Sequence, residues 1–288
     1  MFDYNENLEQ ARTRNIRDAL LEDVGRQDWT AQLVPADQRV RARVLVREEA
    51  VLCGRDWFEG CFAAVDPTAR IDWHAEEGAL MAPDTLVCHI EANGRALLTA
   101  ERPALNFLQL LSGTATLTRR HVDAMGSAST NPRGCAVLDT RKTLPGLRQA
   151  QKYAVRVGGG KNQRMALWDG ILIKENHIAA AGGVAQAVQR AQALESGVDI
   201  QVEVETLDQL REALDAGARS ILLDNFTRPM MTEAVAFTAG RALLEVSGNV
   251  KLDEIAGIAA TGVDRISIGR LTKDVRATDY SMRVLERL

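Results

Sequence analysis

Apolar and polar positions change rhythm near residue 113. Upstream, VRARVLV alternates: Val40, Ala42, Val44 and Val46 share one face, and Arg41, Arg43 and Leu45 the other. A period of two is expected of a half-buried antiparallel strand. Asn93-Gly94 separates LVCHIEA from RALLTAE, which predicts a two-residue hairpin because both turn positions tolerate positive φ. NIRDALLEDVG has helical spacing and closes on a glycine, and Pro103 is expected in the first turn of a helix over ERPALNFLQLLSG. Residues 1–112 therefore read as an α+β domain.

Beyond residue 113, strand and helix alternate. The apolar runs are AVLD (136–139), GILIK (170–174), IQVEVE (200–205), SILLDN (220–225), ALLEVSG (242–248) and RISIG (265–269). Helical spacings such as GLRQAQKYAVRVG, VAQAVQRAQALE, LDQLREALDAG and LDEIAGIAATG separate them. This alternation predicts parallel strands joined by right-handed helical crossovers. The runs are fewer than a complete (β/α) barrel requires, so residues 113–288 are expected to form a smaller or irregular α/β barrel. A doubly wound open sheet is the competing architecture, but no GxGxxG turn follows the first run to support it.

The net charge of −4 argues against a nucleic-acid binder, which needs a broad basic surface. A basic pocket inside an acidic chain suits a small anionic ligand. No apolar run approaches the ~20 residues of a membrane-spanning helix. The polar, acidic start MFDYNENLEQ is unlike a signal peptide or a mitochondrial presequence. Cys53, Cys61, Cys88 and Cys135 lie among apolar neighbours without CxxC spacing, as expected of reduced core thiols in a cytoplasmic protein.

Polar chemistry gathers where the apolar runs stop, the end at which α/β barrels carry their sites. Thr140, Arg141 and Lys142 follow the first run, Lys174 with Glu175, Asn176 and His177 the second, and Asp224 and Asn225 end the fourth. Arg164 closes the loop GGGKNQR. Arginine meets carboxylate or phosphate through a planar fork and lysine through a mobile point charge, so these cations suggest a substrate with several negative charges. In the third run, period two sets Val202 and Val204 on one face and Glu203 and Glu205 on the other, pointing both carboxylates into the lumen. There they need a cation: a salt bridge to Lys174 or Arg141, or Mg²⁺ held together with Asp224 and substrate phosphates. The turns Ser247-Gly248-Asn249 and Ile268-Gly269-Arg270 end the last two runs, where many barrels hold a phosphate. Gly158-Gly159-Gly160 lacks a Walker lysine-serine and reads as a flexible connection to Arg164. His177 reads as a structural histidine, and His74, His89 and His121 show no constellation.

The ordered motifs LLEDVGRQDWT, ERPALNFLQLLSGTAT, DTRKTLPGLR, KYAVRVGGGKNQR, LIKENH, VEVE, LLDNF, LEVSGN and TGVDRISIGRLT span nearly the whole chain. Together they resemble the quinolinate phosphoribosyltransferases. The resemblance implies an N-terminal α/β sandwich domain followed by an irregular α/β barrel of about seven strands, working as a homodimer or larger oligomer. It implies transfer of phosphoribosyl from 5-phosphoribosyl-1-diphosphate to quinolinate with Mg²⁺, giving nicotinate mononucleotide, diphosphate and CO₂. By motif, Arg102 of the partner subunit joins Arg141, Arg164 and Lys174 at the quinolinate carboxylates, and Lys142 reaches toward the diphosphate. Glu203 and Asp224 serve the ribose hydroxyls and Mg²⁺, and turns 247–249 and 268–270 hold the 5-phosphate. Gln163 stands where the family often has histidine; it can donate a hydrogen bond but cannot relay a proton. Two rival readings are a molybdenum-transport-associated paralogue of the same fold and a non-catalytic barrel that binds phosphorylated metabolites.

Overall fold

The computed structural model describes residues 5–288, so the reading of the chain's first four residues lies outside the described residues. The first elements are α1 (Leu8–Val24), β1 (Arg39–Val46), β2 (Ala50–Val51), α2 (Arg55–Val65), β3 (Arg70–Trp73), β4 (Leu80–Met81), β5 (Leu86–Asn93) and α3 (Gly94–Met125). Then come β6 (Ala136–Leu138), α4 (Arg148–Val157), β7 (Gly170–Ile173), α5 (Glu175–Ala181), α6 (Val184–Ala193) and β8 (Asp199–Val204). The last are α7 (Leu207–Asp215), β9 (Ser220–Asp224), α8 (Arg228–Thr238), β10 (Leu243–Ser247), α9 (Ile255–Ala259), β11 (Arg265–Ser267), α10 (Arg270–Lys273) and β12 (Tyr280–Arg287).

Contacts divide the chain into two compact units, neither continuous in sequence. One runs through Arg119 and adds Thr143–Gly159 and Thr272–Leu288; the other is Arg120–Lys142 with Gly160–Leu271. The single boundary expected at 112/113 falls inside α3. Strand pairing explains why the tail joins the first unit: β12 runs antiparallel to β1 along nearly its whole length.

In the first unit the antiparallel sheet has the order β12-β1-β5-β3. The alternation in VRARVLV is realised, with Val40, Ala42, Val44 and Val46 buried in one core cluster with Trp57, Phe58, Phe62, Leu97, Leu105 and Leu108. Two expectations fail here. Asn93-Gly94 is no hairpin: Asn93 Oδ1 accepts the amides of Arg95 (3.0 Å) and Ala96 (3.3 Å), so it caps α3 and RALLTAE begins that helix. Gly94 serves close approach instead, since a Cβ there would press on Val34 Cγ1 at 2.9 Å. Pro103 lies well inside α3 and not in its first turn, so Arg102 is a mid-helix residue on an exposed face.

The second unit contains every anticipated apolar run as a strand, all parallel, in the order β6-β11-β10-β9-β8-β7. Thr206 and Thr227 cap α7 and α8 by accepting the amides of Gln209 and Met230. Among the described residues the seventh barrel position is a single bridge and no full strand. Lys161 pairs with Leu138 on the edge of β6, and Arg164 Nη1 donates to the Gly170 carbonyl at the start of β7 (2.8 Å). Residues 160–164 thus link the two edge strands, which makes the barrel irregular.

Candidate active site

Strand register fixes the inner face of the barrel. Glu203 lies beside Leu222, Leu222 beside Glu245 and Glu245 beside Arg265; in the next row Asp224 lies beside Ser247. The opposite parity, Val202, Val204, Ile221, Leu223, Leu244 and Val246, is buried apolar surface, and α6 and α7 pack on β8. The polar residues of the strands therefore share one surface.

At the ends of β7 and β8, Lys174 Nζ donates to Glu203 Oε2 at 2.9 Å. The salt bridge anticipated for the inward carboxylate is thus formed, with the glutamate side chain only 9% exposed. Glu205 does not join it: the strand stops at Val204, Glu205 is exposed, and its amide donates to Gln209 Oε1 (2.7 Å). His177 is structural, as expected, because its Nδ1 accepts the Lys174 amide at 2.9 Å and fixes the start of α5.

At the ends of β9 and β10, Asp224 accepts from Ser247 Oγ (2.6 Å) and from Asn225 Nδ2 (2.8 Å). Gly248 has φ +109°, and a Cβ there would collide with Asn225 Oδ1; only glycine fits that turn. Asn249 also has positive φ, at 38°. Between β6 and β11, Thr140 Oγ1 accepts the Lys142 amide (3.1 Å), and a Cβ on Gly269 would stand 3.0 Å from Lys142 Cδ. The glycine lets the lysine stem cross the end of the neighbouring strand. Ile268 is buried and gives its amide to the Leu138 carbonyl (2.9 Å), which leaves Gly269 and the exposed Arg270 as the open part of this turn.

The closing segment is anchored by Asp139, which is fully buried and accepts from Asn162 Nδ2 and from the Gln163 amide (3.0 Å). Gln163 Nε2 donates to Gln201 Oε1 (2.9 Å), and Gln201 Nε2 donates to Glu245 Oε2 (3.0 Å). Burial pushes the Glu245 carboxyl upward, against the pull of its bond from Gln201. Burial also holds the Arg164 guanidinium below its ordinary range, and the Arg141 charge adds to the effect. Two arginines within electrostatic reach of one another make a strongly positive locus. Asp139, Gln201 and Glu245 were missed from sequence, although Gln201 and Glu245 are polar residues inside otherwise apolar runs, at inward parity. A cavity of about 400 Å³ lined by Arg133, Thr238, Ala242 and Asp264 lies instead toward the strands' amino-terminal ends, away from this chemistry.

A parallel α/β barrel that gathers Arg141, Lys142 and the Lys174–Glu203 pair at the carboxyl ends of its strands has the layout of the α/β-barrel enzymes. Residues 28–112 match the family description of the quinolinate phosphoribosyl transferase N-terminal domain, and residues 114–283 that of its C-terminal domain. The probable nicotinate-nucleotide pyrophosphorylase [carboxylating] of Bacillus subtilis is 38% identical over 265 residues, 92% of this chain and 90% of that protein. The nicotinate-nucleotide pyrophosphorylase structure from Francisella tularensis superposes with a TM-score of 0.91 at 41% identity, covering 98% of this chain and 100% of that one. NadC from Streptococcus pyogenes gives 0.92 at 36% identity, covering 99% and 100%. The chain belongs to the quinolinate phosphoribosyltransferase family.

Proposed function

We infer that the protein transfers phosphoribosyl from 5-phosphoribosyl-1-diphosphate to quinolinate and releases diphosphate and CO₂, a step of NAD biosynthesis. The observation that carries this is the pairing of both family domains with a barrel whose strand ends present Arg141, Lys142 and Lys174. The quinolinate nitrogen attacks the ribose anomeric carbon while the bond to diphosphate breaks, and diphosphate leaves with the electron pair. Positive charge grows on the ribose and negative charge on the leaving group, so preorganised electrostatics do most of the work. Once the nitrogen is quaternary, the 2-carboxylate leaves as CO₂; the ring accepts the electron pair, and a proton from water replaces the carboxylate.

Arg141, Arg164 and Gln163 bind the quinolinate carboxylates, Lys142 with Thr140 meets the diphosphate, and Lys174 holds Glu203 toward the ribose hydroxyls. Ser247, Gly248 and Asn249 in one turn and Gly269 and Arg270 in the other take the 5-phosphate, while Ile268 fixes the second turn through its amide bond to Leu138. Mg²⁺ suits this site through Asp224, whose partners are the neutral donors Ser247 and Asn225; Glu203 already carries the Lys174 ammonium and is the weaker direct ligand. The cation screens the leaving diphosphate when bound. A homodimer, in which Arg102 of the partner subunit reaches the quinolinate site, and a cytoplasmic location belong to the same reading. The burial of Cys53, Cys61 and Cys88 as free thiols supports that location. The paralogue and sensor readings are not favoured, because both domains match the quinolinate enzymes. The test is release of labelled CO₂ from carboxyl-labelled quinolinate: it should require both phosphoribosyl diphosphate and Mg²⁺, and folded protein without turnover would overturn the assignment.

A further inference from the structure

The outer face of the four-stranded sheet brings together side chains that looked isolated along the chain. Asp72 on β3 lies directly opposite His89 on β5. His74, two residues past Asp72, emerges on the same face by strand parity. One ligand atom from each of these three residues lies within 4.8 Å of the others. His74 Nε2 stands 2.9 Å from His89 Nδ1 and 3.8 Å from Asp72 Oδ2. We propose that Asp72, His74 and His89 form a surface site for a divalent transition cation of the zinc, nickel or copper kind, separate from the barrel chemistry and completed by water.

The distances carry the proposal. A tetrahedral ion with ligands at about 2.1 Å sets its ligand atoms about 3.4 Å apart. The observed separations fall on either side of that value, so rotamer adjustments of about half an ångström create the site without moving the backbone. The two ring nitrogens are hydrogen-bonded, one donating to the other, so a bound cation would replace the shared proton; the rings meet edge to face, at an interplanar angle of 89°. Two imidazoles and one carboxylate select borderline transition metals over Mg²⁺, which prefers an all-oxygen shell. Charge nearby cuts both ways. Arg43 lies opposite His89 on β1 and opposes a cation, whereas Arg41 is engaged by Glu91 and Glu286, each at 3.8 Å, and Asp72 offsets one positive charge. Because β3 is the outermost strand on its side of the sheet, a bound ion would clip that edge to β5 and stabilise the fold by binding the native state alone.

The test uses the full-length protein, with Co²⁺ followed by visible absorption and Zn²⁺ by calorimetry. The wild type should bind one cation per chain more than a His74→Ala/His89→Ala double variant. Asp72→Asn should weaken that site by more than about tenfold, since loss of even an outer-shell partner costs about 10–100-fold. Zn²⁺ should raise the melting temperature of the wild type more than that of the double variant, and Mg²⁺ should affect the two alike. Both histidines are at the sheet surface, so folding and the Mg²⁺-supported turnover should be unchanged. Equal stoichiometry and equal affinity in the wild type and the double variant would overturn the proposal.

Discussion

Replacing Gln201 by leucine is the sharpest probe of the barrel floor. Gln201 is 6% exposed and Glu245 1%, and the amide both donates to Glu245 Oε2 (3.0 Å) and accepts from Gln163 (2.9 Å). A buried polar group left without its partner costs about 1–3 kcal/mol. Gln163 is only half-buried and recruits water, so most of the loss falls on Glu245, which keeps its bond from Ser267, and Gln201→Leu should cost about 1–2 kcal/mol. Glu245→Leu strands the Gln201 amide and should cost a similar amount. The double variant removes both polar partners at once and should cost about as much as either single change, a coupling of about 1–2 kcal/mol. Urea unfolding measures this, provided fluorescence and far-UV transitions coincide. The pH dependence gives an independent reading. Burial raises the Glu245 carboxyl, so its favourable contribution is complete below the ordinary carboxylate range and is lost as pH rises through the raised value. Glu245→Gln cannot ionise and keeps an acceptor for Gln201, so its stability relative to the wild type should grow with pH across that window. Additive single effects, or a pH-independent difference for Glu245→Gln, would refute the account.

Three further outcomes follow from the site. Arg141→Ala or Arg164→Ala should weaken quinolinate binding by about 2–4 kcal/mol in calorimetry, and Arg164→Ala should also lose about 1 kcal/mol of stability with its bond to the Gly170 carbonyl. Gly248→Ala forces a side chain into a left-handed turn against Asn225; it should lose about 1–3 kcal/mol of stability and raise the KM for phosphoribosyl diphosphate. Arg102→Ala and Lys174→Ala should each be nearly inactive, yet mixing them should restore about a quarter of wild-type activity through mixed dimers whose mouths act independently. Mixed dimers proven by mass spectrometry but inactive would place Arg102 outside the partner's site.

The strands of the barrel were legible because each is an apolar run ended by a polar residue, and parity alone oriented Glu203 correctly. Parity failed one step later, at Glu205, because the strand ends at Val204 and the period of two ends with it. Asn93 misled for a physical reason: asparagine is equally suited to a tight turn and to a helix cap, and the amides of Arg95 and Ala96 decide between them. The Gln163–Gln201–Glu245 chain needs cross-strand register, which no local pattern supplies. His74 and His89 likewise meet only because β3 pairs with β5.

The charges at the strand ends are arranged for a ligand more than for stability. Burial and the Arg141 charge both act against the Arg164 guanidinium, so an anion with two carboxylates would be drawn to both arginines. The two carboxylates nearby divide their work by environment. Glu203 neutralises Lys174 at 2.9 Å and so keeps that ammonium from adding to the repulsion. Asp224 is held only by a hydroxyl and an amide, donors that orient it without cancelling its charge, so its attraction for a cation survives. Like charges gathered at one locus favour an anion placed among them. That is why removing either arginine should cost more in affinity than in stability.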